Sequence, residues 1–106
     1  MKKLAKDPQG AATVAVTTKS PQLLELNAQI VSGLIWSGAM ETEWILGTGG
    51  RFQLIEINSR FPCWVYLTAR AGLNLPWLLV KQSLGRPMKT GQYRSGVAFV
   101  RNVWDI

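Results

Sequence analysis

A chain of 106 residues, 47% hydrophobic and 17% charged with five tryptophans, has the composition of one that buries surface, not of a disordered segment. Twelve Lys and Arg against six Asp and Glu leave a formal charge of +6, with no histidine and one cysteine. That composition removes the usual general base, the usual zinc ligand and every Ser-His-Asp or Cys-His arrangement, together with any intrachain disulfide or thiolate cluster.

The basic residues are spread from Lys2 to Arg101 with no tight run, so a mildly basic surface is expected and nucleic acid is not an expected partner. A nucleic-acid binder would need a lysine stripe with stacking aromatics, and the aromatics here occupy core-like positions. The longest apolar stretches, Trp64 to Leu67 and Leu75 to Val80, fall far short of the roughly 20 residues a spanning helix requires, so no membrane partner is expected. Lys2, Lys3 and Lys6 are followed by Asp7 and Pro8 instead of a greasy run, which argues against a secretory leader, and the single cysteine fits a reducing cytoplasm. Cys63, between Pro62 and Trp64, reads as a small packing residue.

In chain order, Met1 to Ala12 reads as a loosely held entry segment broken by Pro8 and Gly10. Thr13 to Thr18 is β-branched and predicts a strand. Ser20 can cap a helix with Pro21 at its first position, and Leu23, Leu26, Ile30 and Leu34 recur at helical spacing, so the helix is expected to run to about Ser37-Gly38. Ala39 to Leu46 and Arg51 to Asn58 flank Gly47-Thr48-Gly49-Gly50 and predict a hairpin. Val65 to Ala71 and Leu75 to Leu84 predict two short helices, Gly85-Arg86-Pro87 a turn, and Ser95 to Val100 a last strand. The fold class expected is α+β: a mostly antiparallel sheet with helices on one face, within a single partial domain spanning 1–106.

Pairing Leu46 with Arg51 across a four-residue loop sets Ile45 against Phe52, Glu43 against Leu54 and Glu41 against Glu56. By strand alternation one face then carries Glu41, Glu43, Ile45, Phe52, Leu54, Glu56 and Asn58, and the core face carries Met40, Thr42, Trp44, Leu46, Ile55 and Ile57. Opposed carboxylates destabilise a sheet by up to about 1 kcal/mol, and a metal cation, Arg60 or Arg51 would relieve that. Two carboxylates, an amide oxygen and a guanidinium suit a divalent cation holding nucleotide phosphates, because hard cations take oxygen ligands and arginine forks onto phosphate. A simply hydrated polar face is the plain alternative.

The stretches Gly38 to Trp44 and Leu54-Ile55-Glu56-Ile57-Asn58-Ser59-Arg60-Phe61 resemble the closing segment of the ATP-grasp fold, seen in carboxylate–amine ligases such as carbamoyl-phosphate synthase. The continuation Tyr66 to Gly72, Asn74-Leu75-Pro76, Leu84-Gly85 and Gly96 to Arg101 is similar as well. The likeness covers nearly the whole chain, closely from Gly38 to Gly85 and loosely before Ser20. Glu-x-Asn by itself is a weak motif; the ensemble is more specific. The resemblance implies an ATP-grasp C-terminal subdomain, with Glu43, Glu56 and Asn58 as ligands to Mg2+ (or Mn2+) bridging the ATP phosphates, and Glu41 as a rival for Glu43. It implies that Arg60 steadies phosphates or an acyl-phosphate intermediate, and that Ile45, Leu54 and Ile55 line the nucleotide. The chemistry implied is ATP-dependent carboxylate activation followed by displacement of phosphate by an amine or a thiol.

The phosphate-gripping lysines and the adenine hinge of that family have no counterpart here. The reading is therefore the metal-binding C-terminal part of an ATP-grasp ligase, inactive by itself and needing a preceding lobe or a partner chain. The alternative is a non-catalytic interaction module that associates with a partner or with itself as a homodimer.

Overall fold

The computed structural model describes residues 1–89 and 91–101. It is a small α+β chain with antiparallel sheets and three α-helices among the described residues. Two compact units divide it: Met1–Lys19 with the chain from Cys63 onward, and the contiguous Ser20–Pro62.

The first unit is built on a three-stranded antiparallel sheet of β1 (Lys2–Lys6), β2 (Ala12–Val16) and β5 (Ala98–Val100), with β2 in the middle. The entry segment is therefore a strand, contrary to the sequence expectation. Pro8 and Gly10 do not loosen it; they shape a turn. Asp7 Oδ1 accepts hydrogen bonds from the Gln9 and Ala11 amides at 3.0 and 2.8 Å, and the Gly10 amide donates to the Asp7 carbonyl at 2.9 Å. An aspartate that bonds the backbone ahead of it favours a turn over continued strand. The breakers thus mark the turn of a hairpin between β1 and β2.

β2 is the spine of this unit. Ala12 and Ala15 are 1% and 0% exposed, and Ala15 pairs with Lys3 on one side and Phe99 on the other. The helices of the unit are α2 (Tyr66–Arg70) and α3 (Leu75–Ser83), close to their predicted spans. Asn74 caps α3, its Oδ1 accepting from the Trp77 amide at 3.1 Å, with a proline in the first turn where no amide partner is required. Leu67 and Ala71 of the α2 region complete the buried set. Cys63 is exposed, not packed as expected, because it opens the turn that leads into α2.

The second unit is one helix and one hairpin. Ser20 Oγ caps α1 (Pro21–Gly33) by accepting from the Leu23 amide at 3.3 Å, with Pro21 in the first turn as the sequence indicates. The helix stops about one turn before the expected end. Gly33 costs about 1 kcal/mol relative to alanine in a helix, and Leu34 takes an extended conformation (φ −102°, ψ 131°) while its amide closes the last turn onto Ile30 and Val31. Trp36 then donates from its indole to the Ala39 carbonyl at 3.2 Å, holding the non-helical connection to the hairpin.

β3 (Glu41–Leu46) and β4 (Phe52–Asn58) form a separate two-stranded sheet. The single sheet expected from the sequence is thus two sheets. A hairpin needs further packing to be stable in water. Asn27 of α1 supplies part of it: its Oδ1 accepts from Thr42 Oγ1 at 2.6 Å and from the Trp44 indole at 3.3 Å, and the two donors are themselves 3.0 Å apart. Leu23, Leu26 and Ile30 are half-buried on the same stretch of helix. Replacing Asn27 with alanine is expected to destabilise this unit by about 1–2 kcal/mol, since two polar side chains lose a shared acceptor. Urea unfolding followed by tryptophan fluorescence checks it, and an unchanged midpoint would show that water replaces the amide.

Candidate functional site

The acidic end of the hairpin is shaped by its turn and by one irregularity. Gly47 donates to the Arg51 carbonyl at 2.8 Å, and the residues between form a short 3-10 turn, Thr48–Gly50. Gly49 and Gly50 take φ of 78° and 72°, which residues with a Cβ adopt only at a cost, so this glycine pair is what closes the loop.

From that loop the register runs Leu46 with Phe52, Ile45 with Gln53 and Trp44 with Leu54. A bulge follows, because Glu43 pairs with Glu56 and Ile55 has no partner in the ladder. The pairing continues as Thr42 with Ile57 and Glu41 with Asn58. The register expected from the sequence is corrected at every pair: the loop is one residue longer, and the bulge adds a second shift. A bulge places two residues of one strand against one of the other and breaks the period-two reading.

The consequence for the site is specific. Cross-strand partners in an antiparallel pair share a face, so Glu41, Glu43, Glu56 and Asn58 lie on one face together with Ile45 and Gln53. Glu43 and Glu56 are directly opposite each other, with Cβ atoms expected about 5 Å apart. Phe52 and Leu54 lie on the other face with Trp44, contrary to the expected arrangement. Of the three residues assigned to an apolar nucleotide wall, Ile45 shares the acidic face, Leu54 does not, and Ile55 occupies the bulge.

Arg60 reaches Glu41, with its Nη1 3.6 Å from the carboxylate. The glutamate side chain is 10% exposed and the arginine side chain 63%. The same Nη1 donates to the Phe61 carbonyl at 3.3 Å. Glu41 is thus engaged by an internal cation, and Glu43, Glu56 and the Asn58 amide lie on the same face as further oxygen donors. Among the described residues no three Asp, Glu, His or Cys side chains gather as a metal cluster, so any cation held here would rest on two carboxylates and an amide. That donor set fits Mg2+, which keeps several waters or phosphate oxygens and takes one or two carboxylates from protein.

Two features escaped sequence reasoning. The first is Asn27, whose position among Leu23, Leu26 and Ile30 was the available sign that it points inward. Beside the hairpin, Leu34, Ile35, Trp36, Met40, Ile57 and Ser59 line an open cavity of about 240 Å³. Its apolar walls come largely from the segment that was expected to be helix. No protein-family model, curated protein or solved structure matches the chain.

Proposed function

We propose that this chain is the metal- and phosphate-binding end of a nucleotide site, the C-terminal part of an ATP-grasp-like ligase. The observation that carries the reading is the cross-strand pair Glu43–Glu56 with Asn58 two residues on and on the same face. Two carboxylates and an amide oxygen on one face are the donor types that a hard divalent cation takes. Glu43 and Glu56 would hold Mg2+ and Asn58 would add a neutral oxygen. When bound, that ion supplies charge neutralisation for the nucleotide phosphates.

Arg60 has a separate task. Its ion pair with Glu41 is long and its own side chain is largely exposed. The exposed guanidinium can meet a phosphate while it stays beside Glu41, whose nearly buried carboxylate keeps its cation. Ile45 offers the apolar surface next to the donors. The substrate class is a carboxylate activated as an acyl phosphate and then captured by an amine or a thiol. The groups that grip the base and the outer phosphates must come from another lobe or chain, and the chain by itself is expected to be inactive.

Calorimetry with ATP, with and without Mg2+, tests this on the wild-type chain and on Glu56→Ala. Weak binding that requires Mg2+ and disappears in the variant is the expected result. Absence of binding at millimolar ATP from a folded chain would overturn it in favour of an interaction module. A specific observation favours that second reading: the contiguous unit exposes large apolar side chains, among them Leu24 at 59%, Ile35 at 109%, Trp36 at 48% and Leu46 at 60%. Apolar area of that kind marks surfaces that meet a partner.

A further inference from the structure

Charge is distributed unevenly along this chain. Apart from Asp7 and Asp105, every carboxylate side chain lies within residues 20–62. Between Glu56 and Asp105 there is none, and the same span carries seven Lys and Arg. Helix α3 lies in this acid-free span.

Its outward side is apolar. Trp77, Val80 and Leu84 follow one another at spacings of three and four, so they form one stripe, and they are 47%, 45% and 60% exposed. Leu75, Leu78 and Leu79 are half-buried and fall on the opposite side. The helix therefore has two apolar faces and packs only one of them. Lys81 sits beside the outer stripe, its ammonium 5.9 Å from the centre of the Trp77 ring. The helix closes with the Arg86 amide donating to the Lys81 carbonyl at 2.9 Å and the Gly85 amide to the Gln82 carbonyl at 3.0 Å, Gly85 having a φ of 63°. The chain then presents Arg86, Met88 and Lys89, all exposed.

We propose that this face is a peripheral contact for an anionic lipid surface. A convex stripe of Trp, Val and Leu can enter the boundary between headgroups and acyl chains, where tryptophan is favoured. Lys81, Arg86 and Lys89 flank it and meet the negative headgroups, their aliphatic stems lying along the apolar layer. The acid-free span means that the flanking sequence brings no carboxylate to repel that surface. A second copy fits less well, because a two-fold pairing through this stripe would set Lys81, Arg86 and Lys89 against their own equivalents. Single-stranded nucleic acid fits less well too, since Val80, Leu84 and Met88 offer no stacking plane. That no helix among the described residues is long and apolar enough to cross a membrane is no obstacle, as a surface contact needs none.

Co-sedimentation of the full chain with vesicles of phosphatidylcholine, and of phosphatidylcholine containing phosphatidylserine, tests the proposal, with a single-stranded oligonucleotide in a parallel titration. Partitioning to the anionic vesicles at low salt is expected, falling as salt rises. Lys81→Gln with Arg86→Gln should weaken it more than tenfold, at about fivefold per cation removed. Trp77→Ser with Leu84→Ser should abolish it. Arg86 is exposed and Lys81 half-buried, and neither belongs to the buried core, so the charge variants decide the matter even if the apolar pair is destabilising. Failure to partition to anionic vesicles, equal partitioning to neutral ones, or insensitivity to the Lys81 and Arg86 changes would overturn the proposal. Oligonucleotide binding without vesicle binding would overturn it in favour of a nucleic-acid contact.

Discussion

Replacing Thr17 with valine is expected to remove about 2–6 kcal/mol of stability, two backbone groups losing their partner at about 1–3 kcal/mol each. Thr17 stands just past the end of β2, 8% exposed. Its hydroxyl donates to the Arg94 carbonyl at 2.7 Å and accepts from the Val97 amide at 2.9 Å. Its main chain is bonded there as well, the amide to the Val97 carbonyl at 2.9 Å and the carbonyl to the Gly96 amide at 2.8 Å. Valine keeps the shape and the extended preference of threonine, so the two side-chain bonds are the difference measured. Chains of this size have a net stability of about 5–15 kcal/mol, so the loss would be a large share of the total. Thr17→Ser keeps both bonds and should cost much less. Urea unfolding of the three proteins gives the comparison. A valine variant within 1 kcal/mol of wild type would mean that water or a shifted loop satisfies Arg94 and Val97 equally well.

Leu67→Ala should be comparably damaging, at about 2–5 kcal/mol for a buried leucine truncated to alanine. Leu67 is 3% exposed, and the other buried apolar side chains of its unit among the described residues are the alanines Ala12, Ala15 and Ala71. A core made mostly of methyl groups has little else to close over the space left by an isobutyl group. Leu67→Met, which nearly conserves volume, should cost less than about 1.5 kcal/mol. Tyr66→Ala next to it, at a position 68% exposed, should lie within about 0.5 kcal/mol of wild type. Thermal unfolding by circular dichroism ranks the three. Equal effects at positions 66 and 67 would show that α2 is held by something other than the burial of Leu67.

Most elements were legible because their signals are local. Ser20-Pro21 announces a helix start through chemistry that acts within one turn. Gly47 to Gly50 announces a hairpin for the same reason. What the sequence left obscure depends on partners far along the chain. Lys2 to Lys6 has little intrinsic reason to be extended; it is a strand because Ala12 to Val16 is there to pair with it. The division into two sheets is likewise a matter of which strands meet.

The candidate site was half legible. Glu43, Glu56 and Asn58 were placed on one face, and they share one, although the reasoning that put them there used the wrong register. Parity along β4 puts Leu54 and Glu56 on the same side, and the unpaired Ile55 is what separates them. A bulge leaves no dependable mark in composition, since Ile55 is as good a strand residue as its neighbours. Arg60 was expected near the acids and is near Glu41 in particular.

The unit made from both ends of the described chain carries a consequence for its birth on the ribosome. Thr17 and Val97 are 80 positions apart, so the bonds that seal the three-stranded sheet wait until residue 97 has been synthesised. Ser20–Pro62 is contiguous and can fold as soon as it emerges. In the interval β1 and β2 have only each other, and the flank of β2 reserved for β5 stays open. Pairings across such long stretches of chain form slowly. The inserted helix and hairpin thus act as a timer, delaying closure of the sheet that brackets them.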